Sequence, residues 1–242
     1  VVSPDEMVAR YGADAARLYS LFAAPADRDL DWQDSGIAGI QRFLGKVYRF
    51  VLRNAANTRD VSAASLSAAS LSPAERQIQR KLHQTIKRVS DDFQGRWHFN
   101  TCISAIMELV NALQAYEENA ASQAKSSSAA LLAEVQRDLI LLLAPFAPYL
   151  AHELWEMIGE KGSLLKVPWP KYDPALAREE ELEIPVQVSG KLRGRIVVPA
   201  DAAESVVIER ALADEKVKSA ITGKQIVKTI YVSGKLVNIV VK

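Results

Sequence analysis

One cysteine in 242 residues, Cys102, excludes an intrachain disulfide framework and suits a reducing cytoplasm, the compartment expected here. No apolar run approaches the roughly 20 residues that a membrane-spanning helix needs. The longest, Leu139–Ala147, reads as a buried helix, and the N-terminus shows no signal-peptide pattern. The three histidines, His83, His98 and His152, share no metal-ligand spacing with each other or with Cys102. Gly190-Lys191 ends like a phosphate loop, but Leu192 stands where a magnesium-binding Ser or Thr is required. His152-Glu153 begins like a zinc-protease helix, yet Glu156 occupies the place of the second histidine. Asp27, Asp29 and Asp31 lack the glycine and terminal glutamate of a calcium loop. No catalytic residue and no metal site is therefore assigned.

What is present is an ordinary apolar complement, 49% of residues, enough for a real core in one or two domains. The net charge of +1 conceals an asymmetry. Residues 184–242 carry ten Lys/Arg against five Asp/Glu, whereas residues 1–183 carry 20 against 24. A basic tail on a slightly acidic body points to a polyanionic partner. Ordinary solubilising charge is the plain alternative.

The chain opens on a helix start. Ser3 is placed to cap it, Pro4 fits the first helical turn and Glu6 completes a capping box. A second helix is expected over Gly12–Ala23, ended by Pro25. Ile37, Ile40, Phe43, Leu44, Val47, Tyr48 and Val51 then recur at helical spacing. Ser/Ala-rich connectors at 62–72 and 120–128 separate further helices. One begins at the box Ser72-Pro73-Ala74-Glu75 and is broken at Gly95; others cover about 99–118, 129–143 and a short run to Ile158. Antiparallel helices with loops between them predict an up-and-down bundle. Trp97 and Phe99 are expected to fill its core.

Beyond a proline-containing, acidic stretch the pattern changes. Residues 185–198 and 227–241 are Val/Ile-rich and alternate, and VSGKL occurs in both, at 188–192 and 232–236. Ser-Gly between apolar runs is a hairpin turn signal. Residues 202–221 between the hairpins read as helical. The fold class is thus α+β: a mostly helical bundle followed by a small two-hairpin α+β domain. The expected organisation is 1–33 as a stem-like helical junction, 34–170 as the bundle, 171–183 as a linker and 184–242 as the tail domain.

YGADAARLY (11–19) and ADRDLDW (26–32) resemble the segment that follows the catalytic domain of bacterial leucyl-tRNA synthetases. APFAPYLAHELWE (144–156) and VPWPKYDP (167–174) are similar to the closing part of the anticodon-binding bundle of that class I subgroup. VQVSGKLRGRIVVPADA (186–202) and KTIYVSGKLVNIVV (228–241) resemble the leucyl family's C-terminal domain. The resemblance implies a chain continuing from an absent catalytic domain, with tRNA(Leu) as partner. ATP and magnesium would serve the parent enzyme; no cofactor falls to this part.

Two groups of cations are candidates for tRNA contact. Arg42, Lys46, Arg49 and Arg53 fall at i, i+4, i+7 and i+11, one stripe along a helix that could track phosphates. Arg76, Arg80, Lys81, Lys87 and Arg88 spread around the next helix and read as solvated charge. In the tail, Lys191, Arg193 and Arg195 alternate along a strand and are expected on one face, with Leu192, Ile196 and Val198 on the other. Lys224, Lys228 and Lys235 add charge at the second hairpin, and the amides of Gly190 and Gly234 are expected to be open to phosphate. Such a surface would bind phosphates and carry no base code; the resemblance implies the outer corner of folded tRNA as its target, recognised by shape. A helical protein-interaction module with a generic basic tail is the alternative.

Overall fold

A computed structural model describes residues 3–24, 33–61, 70–122, 128–179 and 181–242. Asp27, Asp29 and Asp31, most of the Ser/Ala-rich connectors and the leading Val1-Val2 lie outside them. The chain divides into two compact units, residues 1–177 and 178–242.

The first unit is helical: α1 (Pro4–Tyr11), α2 (Ala13–Ala23), α3 (Asp34–Thr58), α4 (Pro73–Asp91), α5 (Phe99–Ser122), α6 (Ala129–Leu143) and α7 (Pro148–Met157). A 3₁₀ turn at Leu164–Lys166 leads into an extended segment. Ile37, Ile40, Phe43, Val47, Phe50 and Val51 are buried along α3, as the helical period requires; Leu44 is half-buried and Tyr48 exposed. They meet Leu82, Ile86, Ile106, Leu109, Leu139, Phe146 and Trp155 in one core. A polar bridge crosses it: Thr58 Oγ1 donates to Gln136 Oε1, and Gln136 Nε2 donates to the Val51 carbonyl.

The two capping boxes expected from the sequence fare differently. At α4, Ser72 Oγ accepts the Glu75 amide and the Glu75 carboxylate accepts the Ser72 amide at 2.8 Å. At α1, Ser3 is extended but its side chain makes no cap bond. Glu6 is solvent-exposed, so water serves its carboxylate, whereas Glu75 is buried and must find donors within the fold.

Gly95 does not simply end α4. A π-helical turn, Asp92–Arg96, inserts there and leaves Trp97 left-handed at φ 54°. The extra residue rotates Trp97 outward. It is 61% exposed, against the expectation of a core residue, while Phe99 is half-buried beside it.

The second unit holds β1 (Glu181–Val188), β2 (Lys191–Pro199), α8 (Glu204–Ala213), α9 (Glu215–Ile221), β3 (Ile226–Val232) and β4 (Leu236–Val241). Both expected hairpins form, and the helical stretch between them is two helices, divided where Asp214 caps α9. Ser189 and Gly190 both take positive φ, the conformation a two-residue hairpin demands. The sheet order is β2-β1-β4-β3, with β1 and β4 parallel at its centre. Val207, Ala211 and Val217 of α8 and α9 bury one face against Ile184, Val186, Ile196, Val237 and Ile239.

Candidate nucleic-acid interface

In the tail, a bulge changes the expected charge pattern. Gln187 pairs with Leu192 and Val186 with Gly194, so Arg193 is the extra residue on β2. Directly opposed residues share a face of the sheet. Lys191 therefore lies on the helix-covered side with its partner Val188, and Arg195 lies on the open side with Pro185. The three cations do not form one stripe. For the same reason Leu192 is 53% exposed instead of buried with Ile196 and Val198.

The turn amides are not open either. Gly190 donates to Asn238 Oδ1 at 3.1 Å, and Gly234 donates to the Tyr231 hydroxyl at 3.1 Å. The first turn amide is satisfied by β4 of the other hairpin and the second within its own, which removes the expected backbone anion site. Arg195 pairs with Glu183 at 2.5 Å, and Lys224 Nζ folds back onto the Ala220 carbonyl at 3.0 Å. Lys191, Arg193, Lys228 and Lys235 are exposed and have no polar side-chain partner among the described residues.

The sequence reading did not single out the open face of the sheet. Leu192, Val197, Ile230 and Val232 are all more than a third exposed there, alongside Arg195 and Lys228. The signal was available in β3: IVKTIYV is apolar at both parities, so one set had to face away from α8 and α9. Gly194 was also missed. A Cβ there would come within 2.7 Å of Asp214 Oδ1, the atom that accepts the Lys216 and Val217 amides at the start of α9.

In the helical unit the α3 stripe is half engaged. Lys46 Nζ donates to Asn111 Oδ1 at 3.1 Å, and Arg53 pairs with Glu117 of α5. Arg42 and Arg49 have no hydrogen bond or ion pair among the described residues. Arg49 lies over Gly45 and Arg42 near Gly39, so small residues make room for both guanidinium groups. An open groove of about 290 Å³ runs beside Arg42, lined by Phe22, Ile40, Phe43, Met107 and Lys46 among others. On α4 the cations are used internally: Arg76 on the Leu71 carbonyl, Lys81 on Glu108, Lys87 on Asp91.

Among the described residues, no group of three or more His, Cys, Asp or Glu is placed to hold a metal ion. Cys102 is buried; burial, then the Asp92 charge, push its thiol up to about 12, so it stays protonated and unreactive.

Residues 75–208, more than half of the chain, match the family model of the anticodon-binding domain of tRNA ligase. The chain belongs to that family. As a member of it, the chain aligns over its whole length with leucine–tRNA ligases: 48% identical to that of Solibacter usitatus and 46% to that of Geotalea daltonii, covering 28% of each. The ligase of Symbiobacterium thermophilum is 42% identical over 265 residues, 31% of its length. The chain thus spans about three-tenths of these relatives. Among solved structures, it is similar throughout to a LeuRS from Agrobacterium radiobacter in ternary complex with tRNA and LeuAMS, with TM-score 0.84, 32% identity and 30% of that chain covered. The apo methionyl-tRNA synthetase of Mycobacterium tuberculosis matches 66% of this chain at TM-score 0.52 and 19% identity, a likeness of fold alone.

Proposed function

We propose that this anticodon-binding-domain chain is the C-terminal, tRNA-positioning part of a leucine–tRNA ligase. The carrying observation is the end-to-end alignment with leucine–tRNA ligases, which takes in both the helical unit and the tail. The parent reaction joins L-leucine to tRNA(Leu), with ATP converted to AMP and diphosphate. ATP and magnesium belong to a catalytic domain upstream in the same polypeptide, and the chain alone forms no leucyl adenylate.

Its own contribution is orientation. Holding a bound reactant correctly can lower a barrier by about 7–11 kcal/mol without any chemistry from the binding domain. The cations proposed to meet the RNA backbone are Arg42, Lys46, Arg49 and Arg53 on α3, and Lys191, Arg193, Arg195, Lys224, Lys228 and Lys235 in the tail. Arg42, Arg49, Lys191, Arg193, Lys228 and Lys235 come first among them, since no internal partner must be given up. The apolar open face of the tail sheet supports a contact that also excludes water, not charge alone.

A salt titration of binding to folded tRNA(Leu), with a Lys191/Arg193/Arg195→Ala variant beside it, tests this. The expected result is preference for folded over unfolded RNA and a salt slope that falls in the variant. Equal binding to both RNAs would reduce the cations to generic charge. No binding to either would place most of the affinity in the catalytic domain or favour a protein-interaction module.

A further inference from the structure

The extended segment that ends the helical unit is tied along α4 at four successive places. Trp169 Nε1 donates to Ser90 Oγ at 2.9 Å while its ring centroid lies 5.7 Å from that of Phe93. Lys87 Nζ sits 5.7 Å from the centroid of the Tyr172 ring. The Asp173 amide donates to His83 Nδ1 at 3.1 Å, and Gln84 Nε2 donates to the Ala177 carbonyl at 3.1 Å. Ser90, Lys87 and His83 are three and four residues apart, so they share one face of the helix. The segment lies along that face in the opposite direction. Val167 and Tyr172 also pack on the core.

Asp173 is where this strap turns. Its carboxylate accepts the Ala175 amide at 2.7 Å, and its carbonyl accepts the Ala177 amide at 3.0 Å. Its own amide donates to His83, which is 5% exposed and so needs a donor within the fold. A ring nitrogen that accepts an amide carries no proton, so the imidazole proton is on Nε2. That nitrogen faces Glu134 Oε1 at 3.5 Å, an electrostatic contact that favours this tautomer without a formed hydrogen bond. Glu134 is itself held by Gln79 Nε2 at 3.3 Å. Asp138 of α6 also lies near His83, with Arg137 beside it.

We propose that His83 is a positioning residue: with Nδ1 unprotonated, it locks residues 167–177 onto α4 and so fixes the point from which the chain continues into the tail unit. The locked strap removes about ten residues from the tether between the units. A shorter tether narrows the volume a linked module explores and raises its effective concentration at a second site. This functional weight rests on the tRNA reading above; the lock itself does not.

Two readings test the lock on the whole chain without RNA. Nitrogen-15 NMR of the His83 ring is expected to show Nδ1 as the unprotonated nitrogen; a proton there overturns the proposal. Hydrogen exchange is expected to show the amides of 167–177 opening about tenfold faster or more in His83→Leu, with α3, α5 and α6 unchanged. His83→Gln, whose carbonyl oxygen can accept the Asp173 amide, is expected to recover most of the protection. Equal strap protection in the wild type and His83→Leu overturns the lock. If His83→Leu does not fold, the pair His83→Gln and Trp169→Ala decides. Opening confined to the strap in Trp169→Ala supports it, and opening shared with α4 overturns it. A third measurement then compares tRNA affinity. A loss in His83→Leu that His83→Gln restores supports positioning, whereas an open strap with unchanged affinity overturns the positioning role.

Discussion

The Glu75 carboxylate accepts the backbone amide of Ser128 at 2.7 Å, so the residue that closes the cap of α4 also steadies the start of α6, 53 residues away. The same carboxylate accepts the Ser72 amide and hydroxyl and, at 3.3 Å, the Tyr116 hydroxyl of α5. Three helices meet on one buried group. Burial alone would raise its pKa, but the bonds from Ser72, Ser128 and Tyr116 outweigh burial and hold it below the ordinary range.

Glu75→Ala is therefore expected to cost about 2–4 kcal/mol in urea unfolding, since it strands several donors at once. The pH sign follows from a depressed folded value. The contribution is fully present above the unfolded value of 4.5 and is lost as pH falls through the folded one. Wild type and Glu75→Gln should thus converge in acid; a constant gap down to pH 2 would refute the assignment.

Asp138 has the opposite sign. Burial, then the nearby Glu134 charge, raise its carboxyl to about 6 from 3.8, against weaker opposition from Arg137. The folded state holds the proton more tightly than the unfolded chain. The penalty is absent below 3.8, grows between 3.8 and about 6, and is complete above. Asp138→Asn should stabilise the chain at pH 7.5 by on the order of 1 kcal/mol and be without benefit near pH 3.5. Thermal melts at the two pH values check it.

Two tryptophans give a contrast in magnitude. Trp155 is buried in the helical core at 1% exposure, and its truncation to Ala should cost about 3–5 kcal/mol. Trp97 is exposed and left-handed, so Trp97→Gly should be neutral or stabilising by up to about 1 kcal/mol. A large loss from the Trp97 change would contradict the surface placement.

The sequence carried the period of α3, the cap of α4, the hairpin turns and the α+β division. It carried less where one residue changes phase. Ser3-Pro4-Asp5-Glu6 and Ser72-Pro73-Ala74-Glu75 follow one pattern, and only burial of the second glutamate separates them. The alternation of Lys191, Arg193 and Arg195 was legible, but the bulge that ends it depends on how β2 is paired with β1. The Gly190 amide read as open because its acceptor, Asn238, lies 48 residues further along the chain. Tertiary pairing, not local propensity, decided each case.

Gly194→Ala would press its methyl group on Asp214 Oδ1 and on Val217, the capping atom and the buried anchor of α9. Loss of about 1–3 kcal/mol is expected in the tail unit. Hydrogen exchange should localise it to residues 178–242 and leave the helical unit unaffected.

The parallel pairing of β1 with β4 makes the tail unit an interlocked object and not two hairpins side by side. Its central seam joins strands from the two ends of the unit, so neither hairpin has a finished edge until the other arrives. A backbone cut between Pro199 and Glu204 would leave two pieces, each offering the strand the other lacks. Mixed, they should reassemble as halves of one sheet; apart, each would present a bare apolar edge that seeks a copy of itself.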